Sequence, residues 1–114
     1  MNTESLNALK QVREGKTMVL SKLSDTTISK EEKQIAGEVL IQLQELEDTL
    51  INFTLQEMVD KINASNAALQ NLLQEMDNAS QNISALSNTI KKISNVLSTL
   101  TEITTKAISA GLLG

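Results

Sequence analysis

The chain has 114 residues, 40% of them hydrophobic, with a net charge of −4 at pH 7. That suffices for one domain with a modest core. With no Cys, His, Pro, Trp or Tyr and a single aromatic, Phe53, the composition excludes a disulfide framework, thiolate or imidazole metal sites, a histidine general base and an aromatic stacking platform for single-stranded nucleic acid.

The first ten residues are polar and hold no apolar core of a signal peptide. The spacing of Leu6, Leu9, Val12, Val19, Leu20 and Leu23 predicts a first helix over about 3–23, with Asn2 or Thr3 at its start and a site of fraying or bending at Gly15. Small polar residues at 24–29 break the pattern. Ser29 and Glu32 then form a Ser-x-x-Glu capping box, with Glu31 adding negative charge to the first turn.

A second helix is expected from 30 to about 62. Its stripe includes Ala36, Val39, Leu40, Leu43, Leu46, Leu50, Ile51, Phe53, Leu55, Met58 and Val59. The phase slips near Leu50, and Leu40, Ile51 and Ile62 stand eleven apart, which suits a broad face touched by two neighbours. Asn63-Ala-Ser-Asn66 has low helix propensity and is read as a turn or kink. One unbroken helix is the competing reading.

A long third helix is expected over about 67–109, ending at a C-terminal cap on Gly111. The weak stretch Asp77-Asn-Ala-Ser80 keeps phase on both sides and is read through. The helix carries a seven-residue repeat. Ile62, Leu69, Met76, Ile83, Ile90 and Leu97 form one column, and Ser65, Leu72, Ala79, Leu86, Ile93, Leu100 and Ala107 the other. Ala68, Leu73, Val96 and Ile103 widen the face. Such a helix is roughly 60 Å long. It does not fit a globule whose radius of gyration is about 13 Å.

The fold expected is therefore all-α: an elongated helical hairpin or three-helix, coiled-coil-like bundle, one domain over 1–114. Its long C-terminal seam is covered by a partner chain or a folded-back hairpin. The interaction seam would be Ile62, Leu69, Leu72, Met76, Ile83, Leu86, Ile90, Ile93, Leu97 and Leu100, and Ile90→Asp would break association.

Residues 1–62 net −4 and residues 63–114 net zero. The outer face of the C-terminal half is read as a neutral coat that includes Asn63, Asn66, Gln70, Asn71, Ser87, Ser94 and Asn95. Such a coat tolerates close approach of many copies. In composition it resembles bacterial helical proteins exported without a cleaved leader, such as flagellin termini and type III needle or filament subunits. No family motif is matched.

Other features have bland readings. Glu31 with Glu32, and Glu45 with Glu47 and Asp48, read as solvated faces rather than cation sites. Four Asn-x-Ser/Thr sequons, at Asn52, Asn63, Asn78 and Asn82, are expected in so Asn- and Ser-rich a chain. Met18, Met58 and Met76 fill core gaps. The arc from Ile83 to Leu113, which includes Leu112, is assigned to helix burial ahead of membrane contact.

No catalytic motif, metal site or cofactor is expected, and the balance of charge argues against nucleic acid as a partner. The function expected is a structural or interaction protein that self-assembles or packs with partner helices, in a bacterial secretion or surface apparatus. The alternatives are a small chaperone or adaptor for a client's amphipathic helix and, third, a membrane-active helical protein. The location expected is cytoplasmic, or exported without a cleaved signal peptide.

Overall fold

The computed structural model describes residues 3–79 and 83–111. Among these the chain forms four helices: α1 (Thr3–Leu23), α2 (Lys30–Asn52), α3 (Leu55–Ala79) and α4 (Ser84–Ser109). Asn2, Ser80, Asn82, Leu112 and Leu113 lie outside the described residues, as does the Ala79 side chain.

The first helix spans the range its spacing predicts, and the second begins at its predicted capping box. Ser29 Oγ accepts the Glu32 backbone N–H at 3.1 Å, and Glu32 Oε1 accepts that of Ser29 at 2.9 Å. These bonds satisfy two donors that a helix start otherwise leaves orphaned. Ahead of it, Asp25 accepts both the backbone N–H and the hydroxyl of Thr27, at 2.8 and 2.6 Å. Buried Ile28 pins this loop to the bundle.

Helix two stops at Asn52, not at 62. Phe53 is extended (φ −120°, ψ 151°), its N–H still bonded to the Thr49 carbonyl. Thr54 then starts α3: its hydroxyl oxygen accepts the Glu57 N–H at 3.3 Å and donates to Glu57 Oε1 at 2.8 Å. Thr54-Leu-Gln-Glu57 is thus a second Thr/Ser-x-x-Glu start signal, and the slip near Leu50 marks a turn rather than an eleven-residue period.

The turn expected at 63–66 is absent; these residues are mid-helix in α3. Asn66 is buried, and Ser94 Oγ of α4 donates to its Oδ1 at 2.6 Å while its Nδ2 donates to Ser98 Oγ at 3.0 Å. Tertiary hydrogen bonds thus offset a poor local propensity. The long third helix is also divided, α3 ending at Ala79 and α4 beginning at Ser84. The heptad phase spans the break because Met76 and Ile83 both re-enter the core, at 1% and 0% exposure. Gly111 takes positive φ (74°) after α4, as a C-terminal cap requires.

Each helix packs on two others in the ring α1–α2–α3–α4–α1. Arg13 and Lys16 of α1 meet Glu47 of α2. Ile41 and Gln42 of α2 share a groove with Ala68 and Leu72 of α3. Asn66 and Asp77 of α3 bond Ser94 and Ser87 of α4. Met18 of α1 touches Thr89 of α4, and Glu4 and Asn7 lie beside Asn95, Val96 and Thr99. Numbers rise along one helix as they fall along its neighbour, so adjacent helices run antiparallel.

The molecule measures 51 × 21 × 17 Å, with a radius of gyration of 14.8 Å. A 26-residue α4 is about 39 Å long and fits inside it. The elongated three-helix form is therefore replaced by a four-helix bundle, because breaks after Asn52 and Ala79 divide the apolar stripe among antiparallel helices.

Gly15 neither frays nor bends α1. It is buried, and a Cβ placed on it would lie 2.5 Å from Ile93 Cδ1 and 3.3 Å from Leu43 Cδ1. The absent side chain lets α2 and α4 close onto α1 at that level.

Candidate interaction surfaces

The ten residues expected to form an association seam are all buried by the chain's own helices: Ile62, Leu69, Leu72, Met76, Ile83, Leu86, Ile90, Ile93, Leu97 and Leu100 are each 7% exposed or less. A second chain is not needed to cover them. Part of the supposed neutral coat is also internal. Asn66, Ser87 and Ser94 are buried between α3 and α4, where their hydrogen bonds hold the two helices in one register.

The carboxylates singled out in the sequence have separate roles. Glu32 closes the α2 cap. Glu47 accepts from Lys16 Nζ at 2.8 Å and from Arg13 Nε at 2.9 Å. Among the described residues no group of three or more His, Cys, Asp and Glu is placed to hold a metal ion, and no helix is long and apolar enough to cross a membrane.

The hydrogen bond from Lys16, and then that from Arg13, hold the Glu47 carboxyl below the usual glutamate value of 4.5. A depressed folded-state value stabilises the fold fully above the unfolded-state pKa, and the contribution disappears as pH falls through the folded value. Asp25 shifts the same way, through its bonds from Thr27. Glu47→Gln should therefore lower the neutral plateau of a melting-temperature curve slightly, leave its acid end unchanged and so flatten the limb below about pH 4.5. A limb identical to wild type would assign that limb to other carboxylates.

The outer surface holds what the sequence did not point out. Leu6, Leu20, Ile41, Ile51 and Ile103 are 41–54% exposed, although the spacing assigned all but Ile41 to buried stripes. Three lie toward the same end of the bundle, on three different helices. Ile51 borders a hollow lined by Leu50, Phe53, Leu55 and Met58 at the α2–α3 turn, where Ser5 of α1 also contributes. Leu6 adjoins Ser5, and Ile103 lies one turn beyond Thr99, beside the start of α1. At the opposite end the Ser24–Ser29 loop is polar apart from buried Ile28, and half-exposed Leu20 lies in the last turn of α1.

The sides of the bundle differ in charge. α1 carries Lys10, Arg13, Lys16 and Lys22 against Glu4 and Glu14, and α4 carries Lys91, Lys92 and Lys106 against Glu102; together they net +4. α2 carries Lys30 and Lys33 against Glu31, Glu32, Glu38, Glu45, Glu47 and Asp48, and α3 carries Lys61 against Glu57, Asp60, Glu75 and Asp77; together they net −7. The ring order puts α1 beside α4 and α2 beside α3, so positive and negative helices occupy opposite sides. On the negative side a groove runs between α2 and α3. Its rim includes Glu31, Glu38 and Glu75, and Ile41, Ala68 and Leu72 line its apolar part. Dividing the sequence in half hid this segregation; summing charge helix by helix recovers it once the breaks are known.

No family model matches the chain, and no curated protein or solved structure matches it.

Proposed function

We propose that the chain is a non-enzymatic helical assembly protein that packs its outer surfaces against other helices, its own copies first among them. The observation that carries this reading is the apolar surface toward one end, where Ile51, Phe53 and Leu55 line a hollow at the α2–α3 turn and Leu6 and Ile103 are exposed on α1 and α4, while the core beneath is closed. Clustered apolar surface that a small domain does not bury internally supports a protein contact. The Asn-, Ser- and Thr-rich exterior of α4, at Ser84, Asn88, Asn95, Ser98 and Thr99, adds little charge repulsion between close-packed copies. It supports a secretion or surface apparatus as the setting.

Sedimentation over a wide concentration range tests this. Self-assembly predicts species that grow with concentration, and introducing Lys at both Leu6 and Ile51 should reduce that growth. A particle that stays monomeric at every concentration would overturn it.

The α2–α3 groove favours a second reading. A client's basic amphipathic helix would set apolar residues on Ile41 and Ala68 and cations on Glu38 and Glu75. In that case the protein stays small alone and shifts only when the client is added.

A further inference from the structure

We propose that copies of this chain associate side to side, the positive α1/α4 side of one seated on the negative α2/α3 side of the next. This rests on the self-assembly reading and adds a lateral contact to the apolar end. Both partners' chemistry is present in one molecule: the helices on opposite sides of the same bundle net +4 and −7, although Arg13 and Lys16 with Glu47, and Lys91 with Asp77, already pair within the bundle and Glu32 is buried.

The free charges are placed to meet. Glu38 and Glu75 flank the α2/α3 groove, are exposed, and have no ion-pair partner among the described residues. Lys10 and Lys92 are exposed on α1 and α4, likewise unpaired among the described residues. Half-exposed Ile41 gives the acidic side an apolar centre to bury.

Size is sufficient as well. A side of the molecule measures 51 by 21 Å, whereas a stable pair needs about 800 Å² from each partner. Because the two surfaces are different, the contact is heterologous. It does not close at two copies, and it builds a ring or an open filament. Charge pairing across it makes growth strongest at low ionic strength, since the Debye length shrinks from about 30 Å at 0.01 M salt to about 3 Å at 1 M.

The test is a charge swap. Glu38→Lys with Glu75→Lys reverses the unpaired charges at the groove and takes the acidic side from −7 to −3, and Lys10→Glu with Lys92→Glu reverses those on the basic side and takes it from +4 to zero. All four residues are exposed, so each variant is expected to keep the wild-type circular dichroism spectrum and melt. In low salt the wild type should sediment as growing species. Each variant alone should stay near the monomer, its dissociation constant raised at least about tenfold. An equimolar mixture should regain growth, because the reversed charges at 38 and 75 again meet opposite charges at 10 and 92.

If the wild type assembles but the variants assemble equally well, or salt has no effect, the side-to-side contact is wrong and the self-assembly reading survives. If the wild type is monomeric in low salt at all concentrations, both fall. Variants that lose assembly with no rescue on mixing would overturn the pairing of these two sides.

Discussion

Ile90→Asp is expected to abolish the cooperative fold rather than to release a monomer from an assembly. Ile90 is fully buried, facing a core that contains Leu86, Ile93 and Leu97 of its own helix and Leu43, Leu69 and Val12 of the others. Among the described residues no cation is buried in that core to pair with a new carboxylate. Burying it there costs several kcal/mol whether it stays charged or takes up a proton. A domain has only about 5–15 kcal/mol of stability in total. The variant should lose its thermal transition in circular dichroism, whereas Ile103→Asp, at a position 41% exposed, should melt close to wild type. An Ile90→Asp protein that folds normally and merely fails to associate would return this column to an interface between chains.

Gly15→Leu is the second large effect. The first added carbon already falls 2.5 Å from Ile93 Cδ1 and 3.3 Å from Leu43 Cδ1. Both are ends of side chains that rotate, so Gly15→Ala should be close to neutral. A gain of about 1 kcal/mol in helix propensity is set against a displaced methyl costing about 0.5–1.5 kcal/mol. Leucine adds three further carbons where α1, α2 and α4 converge, and nothing there can yield without separating helices. Overpacking of this kind costs about 1–3 kcal/mol and here is expected at or above the upper end. Urea titrations of the three proteins check it: the Ala midpoint near wild type, the Leu midpoint clearly lower. Equal midpoints for Leu and wild type would mean that α1 does not approach α4 at this level.

The two variants bear on function as well as folding. They separate residues that hold the bundle together from residues available to partners. Ile90 and Gly15 belong to the first group. Ile41, Ile51 and Ile103 belong to the second, together with the free charges at Lys10, Glu38, Glu75 and Lys92.

The sequence by itself determined the helical class, the capping box at Ser29, the cap at Gly111 and the membership of the apolar seam from Ile62 to Leu100. Each is a local matter: which donors a side chain can reach, where a glycine tolerates positive φ, which residues fall on one face at helical spacing. The turn after Asn52 was also written locally, in Thr54 and Glu57, but no Gly or Pro drew attention to it. The break after Ala79 was hidden, since Met76 and Ile83 preserve the seven-residue phase across it.

Only the tertiary structure decided what covers the seam. A repeat specifies which side chains must leave water, but hydrophobic burial has no direction and does not distinguish a neighbouring helix of the same chain from one of another. Packing of the four helices in a ring supplied that covering from within, brought Asn66 against Ser94, and set α1 beside α4. The last step sorted the helices into a positive and a negative side, a division that a linear chain cannot display because α1 and α4 come together only when the ring closes.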